Sequence, residues 1–152
     1  MLVIERMTTQ PATITAETPV HKALAVIQAK TVRHLPVVND EDQLIGIVSE
    51  KDLLRADSGA NVEQIMTRDV VTATEYTALE DAARIMADRA ISSLPVMRNG
   101  KLVGIITETD LFMIFLELLG AREEGVRLTM LVPEEKGVLA SVTNEIASMG
   151  GN

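Results

Sequence analysis

The feature that most constrains the fold of this chain is an internal repeat. The segment Leu35–Val38 (LPVV) recurs 59 residues later as Leu94–Met97 (LPVM). The segment Gly46–Leu53 (GIVSEKDL) recurs 58 residues later as Gly104–Leu111 (GIITETDL). Because two copies of one unit fold alike and pack through related surfaces, the repeat predicts two similar units rather than one irregular domain.

Each repeat has the same predicted order of elements: a short extended segment, a helix, two strands and a second helix. In the first copy, apolar residues recur at helical spacing over residues 20–27. Two strands follow, at residues 35–38 and 44–48, separated by a polar turn. We expect Thr18 to cap the first helix, with Pro19 at its first position. The pattern indicates a βαββα unit.

The predicted fold class is therefore α+β, with two βαββα repeats. The first repeat is predicted to cover residues 1–60 and the second residues 61–121, followed by a different segment at residues 126–152. A unit of about 60 residues leaves much of its surface exposed when it folds alone. We expect the two repeats to pack together with pseudo-twofold symmetry.

The charge of the chain argues against several classes of partner. The formal net charge is −8, whereas nucleic-acid binding depends strongly on Lys and Arg that neutralise phosphates. The longest apolar run, Leu111–Leu116, is too short to span a bilayer, and the first residues lack the apolar core of a signal peptide. We expect a cytoplasmic protein that binds neither nucleic acid nor membrane.

The repeated motifs resemble those of a known family. The segments His34–Val38, Gly46–Leu53 and Gly104–Leu111 are similar to motifs of the CBS domain, and two such domains in tandem resemble a Bateman module. The resemblance covers about residues 1–120. It implies a regulatory module that binds an adenosyl compound (AMP, ADP, ATP or S-adenosylmethionine) in clefts between the repeats. Such a module requires no cofactor and performs no chemistry.

The resemblance assigns ligand roles to the Ser/Thr-x-x-Asp pattern in each copy, Ser49 with Asp52 and Thr107 with Asp110. A carboxylate can accept hydrogen bonds from two neighbouring ribose hydroxyls, and a hydroxyl at the start of a helix suits a phosphate. The alternative is a structural role, because the same spacing is close to a capping box. The presence of the pattern in both copies favours a ligand role.

The segment Arg33-His34 is implied to bind phosphate, while the matching segment Ser92-Ser93 carries no charge. We therefore expect two different clefts. The cleft that combines Asp52 with His34 is expected to take a phosphorylated nucleotide, and the cleft at Asp110 a less charged ligand or none. A solvated surface position is the alternative for the arginine.

The resemblance also implies that the adenine ring of each ligand packs against the opposite repeat. This nominates Val71, Ile91 and Ser92 opposite Asp52, and Met7, Ala12 and Val32 opposite Asp110. For the apolar residues of this set, an ordinary place in the core is the alternative.

The sequence supports neither a catalytic nor a metal site. His21 and His34 are the only histidines, there is no cysteine, and there is no glycine-rich phosphate loop. We expect no enzymatic activity. The nearly apolar helix at Leu111–Leu119 predicts a contact between two copies of the chain. The competing hypothesis for function is a homodimerisation scaffold whose clefts bind nothing.

The last segment follows a different pattern. Val126–Val132 alternates like a strand, and Val138–Met149 has one apolar helical face. This resembles the first strand and helix of an ACT domain, with Gly137 at the position of a ligand-contacting glycine. The sequence ends where the second strand would begin, so we expect less than half of an ACT domain. The order CBS–CBS–ACT resembles bacterial acetoin-utilisation regulatory proteins.

Overall fold

The computed structural model describes residues 1–57, 59–121 and 129–150. They fall into two compact units, Met1–Ala121 and Arg122–Asn152. The strands and helices of the first unit, in chain order, are β1 (Thr8–Thr9), α1 (Val20–Lys30), β2 (His34–Val38), β3 (Leu44–Ser49), α2 (Glu50–Arg55), β4 (Ala73–Thr74), α3 (Leu79–Arg89), β5 (Ser93–Arg98), β6 (Lys101–Thr107) and α4 (Glu108–Leu118). The second unit contains α5 (Val138–Ser148).

The first repeat folds around the antiparallel pair β2–β3, which is in register at Leu35 and Val48. Both of these side chains are fully buried, and α1 covers them with its apolar face. We call this cluster the first core. The predicted helix and the predicted hairpin of this repeat are confirmed, because their apolar positions share one face and remove that face from water.

The predicted cap of α1 is wrong. Pro19 is the N-cap residue and the helix begins at Val20, without a hydrogen bond from a capping side chain. The hydroxyl of Thr18 instead accepts a hydrogen bond from the backbone N–H of Thr15, at 3.2 Å. That hydroxyl closes the turn before the helix, so it does not serve the first turn of the helix.

The second repeat contains a four-stranded sheet in the order β1-β6-β5-β4. Strand β4 is parallel to β5, and β5 pairs antiparallel with β6. The first repeat has single bridges at the equivalent places, Ile14 with Val37 and Ile47 with Thr67. The two sheets thus have the same arrangement of strands. We call the buried cluster around β5 and β6 the second core, which corresponds to the first core around β2 and β3.

The segment that leads into each repeat packs in the core of the other repeat. Val3 is fully buried in the second core, and its N–H donates to the carbonyl of Thr77 at 2.9 Å. Val62 is fully buried in the first core, and its N–H donates to the carbonyl of Thr18 at 3.0 Å. Each core therefore needs the segment that leads into the other repeat, and we call these two lead-in segments the crossing segments. No pattern in the sequence predicts this exchange.

Two glycines allow these crossing segments to lie against the strands. A Cβ at Gly46 would stand 2.5 Å from the sulfur of Met66, and a Cβ at Gly104 would stand 2.5 Å from the sulfur of Met7. At Gly104 the carbonyl oxygen of Thr8 is also 3.0 Å away, because β1 pairs directly with β6. Glycine is needed here for close approach of the chain.

In the second unit, α5 occupies the predicted helical segment, after Gly137 with a φ of 88°. No residue of α5 is buried. The predicted strand 126–132 lies partly outside the described residues, and its described part, residues 129–132, is not in a strand. A strand is defined by pairing with a neighbour, and none of the described residues pairs with this segment. Among the described helices, none has the length and apolar character needed to cross a membrane.

We predict that Gly46→Ala and Gly104→Ala each destabilise the fold by about 1–3 kcal/mol, because the new methyl group overpacks the crossing segment. The Gly104→Ala variant should lose more stability, because the backbone of Thr8 must move as well as the flexible side chain of Met7. The free energy of unfolding from urea denaturation measures both effects. Gly59→Ala is the control, because a Cβ there meets nothing within 4 Å. Three equal unfolding free energies would contradict the prediction.

Candidate functional site: two clefts between the repeats

Two clefts are formed from residues of both repeats. The Asp52 cleft has a volume of about 520 Å³ and is lined by the β3–α2 junction and by the loop between α3 and β5. The Asp110 cleft has a volume of about 460 Å³ and is lined by the β6–α4 junction and by the loop between α1 and β2. The same structural positions, 58 or 59 residues apart, therefore form the walls of both clefts.

The two Ser/Thr-x-x-Asp patterns form capping boxes at the starts of α2 and α4. Ser49 Oγ donates to Asp52 Oδ2 at 2.6 Å, and the backbone N–H of Ser49 donates to the same oxygen at 2.9 Å. In the second repeat, Thr107 Oγ1 and the Thr107 N–H both donate to Asp110 Oδ2 at 2.8 Å. The capping alternative is thus present in the structure.

The capping hydrogen bonds use one of the two carboxylate oxygens of each aspartate. Within the described part of the chain, the hydrogen bonds to the Asp52 and Asp110 carboxylates fall on Oδ2. Both side chains are half-buried and line their clefts. Each aspartate can therefore hold the helix start with one oxygen and offer the other to a ligand.

The residues nominated for the adenine ring lie mostly where the resemblance implies. Val71, Ile91 and Ser92 line the Asp52 cleft, together with Ser93, the counterpart of His34 in the second repeat. Ala12 and Val32 line the Asp110 cleft. Met7 does not, because its side chain, which belongs to a crossing segment, lies against Gly104. Each cleft therefore has a half-buried, partly apolar wall opposite its aspartate.

His34 belongs to both clefts. Its side chain lines both of them, and its Nε2 is 2.9 Å from Ser92 Oγ, so one hydrogen bond joins the two repeats. Burial lowers the pKa of His34 below 6.5, and the nearby charge of Arg33 lowers it further, whereas Asp52 and Glu108 raise it. Because burial is the largest of these effects, the imidazole is neutral at pH 7 and adds a hydrogen-bonding group rather than a charge.

Arg33 and His34, which are predicted to bind phosphate, do not share the Asp52 cleft. Arg33 is exposed and lines the Asp110 cleft. His34 lines both clefts, so the two side chains lie together at the Asp110 cleft. The position that Arg33 occupies at the Asp110 cleft is occupied by Ser92 at the Asp52 cleft.

Three charged residues of the clefts were not predicted from the sequence. Lys51 and Asp69 line the Asp52 cleft, and Glu108 lines both clefts. Lys51 lies inside the repeated motif, where Thr109 replaces it in the second copy, so a position-by-position comparison of the repeats could have found it. Asp69 lies on a crossing segment, whose path the sequence does not predict. Among the described residues there is no group of three or more side chains suited to a metal ion.

Residues 3–59 and 62–117 each match the CBS domain. The chain belongs to the CBS-domain family. The match accounts for both clefts and for all elements from the first crossing segment to α4. It ends before residue 126, so the ACT-like character of residues 126–152 stays a prediction.

Three solved structures show what this CBS pair is similar to. The CBS domain pair of protein MJ0100, in complex with 5′-methylthioadenosine and S-adenosyl-L-methionine, superposes with a TM-score of 0.75 at 29% identity, covering 78% of this chain and 98% of that one. CBSX2 in complex with AMP has a TM-score of 0.71 at 32% identity, covering 78% and 98%. A Vibrio cholerae protein given the name acetoin utilization protein (AcuB) has a TM-score of 0.72 at 32% identity, covering 84% and 98%.

The curated relatives are longer proteins. The chain spans between 20% and 50% of their length, and several of them carry the names of enzymes. The region they share with this chain is the part that contains the CBS pair, which is a regulatory module. The catalytic names of those proteins therefore describe the whole proteins rather than the shared region.

We predict that His34 makes the fold less stable in mild acid. A histidine whose pKa is lowered by folding contributes stability that is complete above its unfolded value of 6.5 and is lost as the pH falls through its folded value. The urea midpoint of the native protein should therefore fall as the pH drops below 6.5, and His34→Gln should reduce that dependence.

His21→Gln is the control, because His21 is the other histidine of the sequence and is exposed on α1. It removes the same titratable group without touching either cleft. If all three proteins lose stability equally between pH 7.5 and pH 5.5, His34 is not the group responsible.

Proposed function

We propose that this CBS pair is a regulatory sensor that binds an adenosyl nucleotide in the clefts between its repeats. The observation that carries the proposal is the position of Asp52 and Asp110. Each holds a helix start through one carboxylate oxygen and lines a cleft of several hundred Å³ with the rest of the side chain. A ribose offers two adjacent hydroxyls that suit such an oxygen.

The opposite wall suits the base. In the Asp52 cleft the ring would lie against Val71 and Ile91, with the hydroxyls of Ser92 and Ser93 available for hydrogen bonds to its nitrogens. In the Asp110 cleft, Ala12 and Val32 take the corresponding place. Small ligands bind well where a mainly apolar surface is combined with a few polar groups that set the orientation. Ser49 and Thr107 also line the clefts, and each donates its hydroxyl hydrogen to the neighbouring aspartate.

The ligands of the similar structures support this choice of compound. One similar CBS pair is in complex with 5′-methylthioadenosine and S-adenosyl-L-methionine, and another is in complex with AMP. Adenine linked to a ribose ring with free 2′ and 3′ hydroxyls is common to all three molecules. A link to acetoin utilisation is part of the proposal and rests on the likeness to the Vibrio cholerae protein. The cytoplasmic location stays a prediction from the sequence.

The architecture suggests how such binding becomes a signal. Each cleft takes its aspartate from one repeat and its apolar wall from the other, so a bound ligand holds the repeats in one relative position. A ligand shifts a protein only between states for which its affinity differs. The exchange of crossing segments means that a change in the angle between repeats strains both cores, which favours two distinct states over a continuous range.

We predict that Asp52→Ala or Asp110→Ala weakens binding of at least one compound among AMP, ADP, ATP and S-adenosylmethionine. Loss of charge-assisted hydrogen bonds of about 1.5–3 kcal/mol corresponds to roughly tenfold to hundredfold weaker binding. Isothermal titration calorimetry measures the dissociation constants. For the native protein, a ligand at about 100 times its dissociation constant should raise the free energy of unfolding by about 2.7 kcal/mol.

Asp40→Ala is the matched control, since Asp40 is an exposed carboxylate in the turn between β2 and β3 and lines neither cleft. It changes the net charge equally and should bind as the native protein does. If the aspartates act only as caps, the alanine variants lose stability but keep the ligand-induced increment. That result would refute the site, and no binding of any of the four compounds would refute the sensor.

The competing function, a homodimerisation scaffold, is supported by α4. Four large apolar side chains along α4 and at its C-cap are half-exposed or more: Phe112 (59%), Phe115 (54%), Leu118 (71%) and Leu119 (50%). Exposed apolar surface of this kind on a single helix is typical of a protein contact, and a second copy of the chain is the occupant proposed. The sensor and the dimer are compatible, so the two proposals are tested separately.

We predict that the chain is a dimer in solution and that Phe115→Glu makes it monomeric, because a charge would be buried in an apolar contact. Sedimentation velocity over a range of protein concentrations measures the mass. The control is Tyr76→Glu, which places the same charge on a side chain that is 71% exposed and lies outside α4. A monomeric native protein, or equal effects of both variants, would contradict the proposed contact.

A further inference from the structure

The two clefts have the same geometry but different charges. The Asp52 cleft is lined by one lysine, Lys51, and by three carboxylates, those of Asp52, Asp69 and Glu108. The Asp110 cleft is lined by one arginine, Arg33, and by two carboxylates, those of Glu108 and Asp110. The Asp52 cleft is therefore the more negative of the two, although the sequence predicts the opposite order.

The position of the cation differs as well as the total charge. Lys51 follows Glu50 and precedes Asp52 in α2, so its ammonium group has carboxylates on both sides in the chain. Arg33 lies on the wall opposite Asp110, in the loop before β2. A guanidinium group can donate two parallel hydrogen bonds to a phosphate, which a single ammonium group cannot. Among the described residues that line the two clefts, a guanidinium group occurs at the Asp110 cleft and not at the Asp52 cleft.

His34 does not reverse this difference. It lines both clefts, so it cannot distinguish them by its charge, and burial lowers its pKa below the usual value, which favours the neutral imidazole. Its Nε2 is joined to Ser92 Oγ, and Ser92 is the residue that takes the place of Arg33 at the Asp52 cleft. The His34–Ser92 pair lines both clefts, so the guanidinium group of Arg33 at the Asp110 cleft is what distinguishes them.

We infer that the two clefts bind different classes of adenosyl ligand. The Asp110 cleft takes an adenosyl compound with a 5′-phosphate, held by Arg33. The Asp52 cleft takes an adenosyl compound whose 5′ substituent is uncharged or cationic, such as a thioether or a sulfonium. This inference rests on the proposed function, because it presupposes that adenosine binds in both clefts.

The test compares AMP with 5′-methylthioadenosine in two proteins that each keep one aspartate. In Asp52→Ala the Asp110 cleft is intact, and calorimetry should give a dissociation constant for AMP at least about tenfold below that for the thioether. In Asp110→Ala the Asp52 cleft is intact, and the preference should be reversed. The tenfold estimate corresponds to one close charge interaction at the edge of a protein.

Exchanging the residue types of Arg33 and Ser92, which occupy matching positions in the two repeats, then tests whether Arg33 causes the preference for AMP. Arg33→Ser, added to Asp52→Ala, should remove the preference for AMP and its dependence on salt concentration. Ser92→Arg, added to Asp110→Ala, should create a preference for AMP in the Asp52 cleft. Arg33 is exposed, so Arg33→Ser is expected to fold. If Ser92→Arg fails to fold because Ser92 is half-buried, the arginine-to-serine change still decides the question.

The outcomes separate the inference from the proposed function. Equal ratios of the two dissociation constants in both single-aspartate proteins, or an unchanged preference in Arg33→Ser, would overturn the inference while the sensor remains. Tighter binding of AMP in the Asp52 cleft would also overturn it. If the native protein binds neither compound, the proposed function fails, and the inference fails with it.

Discussion

The exchange of crossing segments is the interaction on which the rest of this structure depends. Val3 completes the second core and Val62 completes the first, so neither repeat buries its apolar surface without the other. The exchange is possible only because Gly46 and Gly104 leave room for the methionines of the crossing segments. Both clefts follow from this packing, since it brings the start of a helix in one repeat against a strand of the other.

The aspartates of the clefts can each serve two roles at once. A carboxylate that caps a helix is held in a fixed position, which prepares its second oxygen for a ligand at little further cost in side-chain entropy. The capping and ligand roles of Asp52 and Asp110, which are alternatives in the sequence, are therefore compatible in the structure. His34 and Ser92 add a contact between the repeats at the wall that both clefts share. A ligand in one cleft therefore lies beside two side chains that also line the other cleft.

The sequence predicts much of the fold and part of the site. The helices α1 and α3 and the hairpins β2–β3 and β5–β6 follow from local periodicity, because their apolar positions need only one neighbouring layer. The aspartates could be predicted because they lie inside the repeated motif. The cap of α1 could not, because the turn at Thr15 and Thr18 competes for the same hydroxyl. The described part of the predicted strand at residues 126–132 shows the same limit, since alternation alone does not supply a pairing partner.

The sequence by itself determined that this chain contains two CBS domains, since the motifs and their spacing are local properties of the chain. Only the tertiary structure decided which side chains meet in each cleft. Arg33 and His34 are neighbours in the chain, yet His34 lines both clefts whereas Arg33 lines the Asp110 cleft. Asp69 and Glu108 are far apart in the chain, yet the exchange of segments brings both to the Asp52 cleft. The charge of a binding site is a sum over space, so it follows from packing rather than from the order of residues.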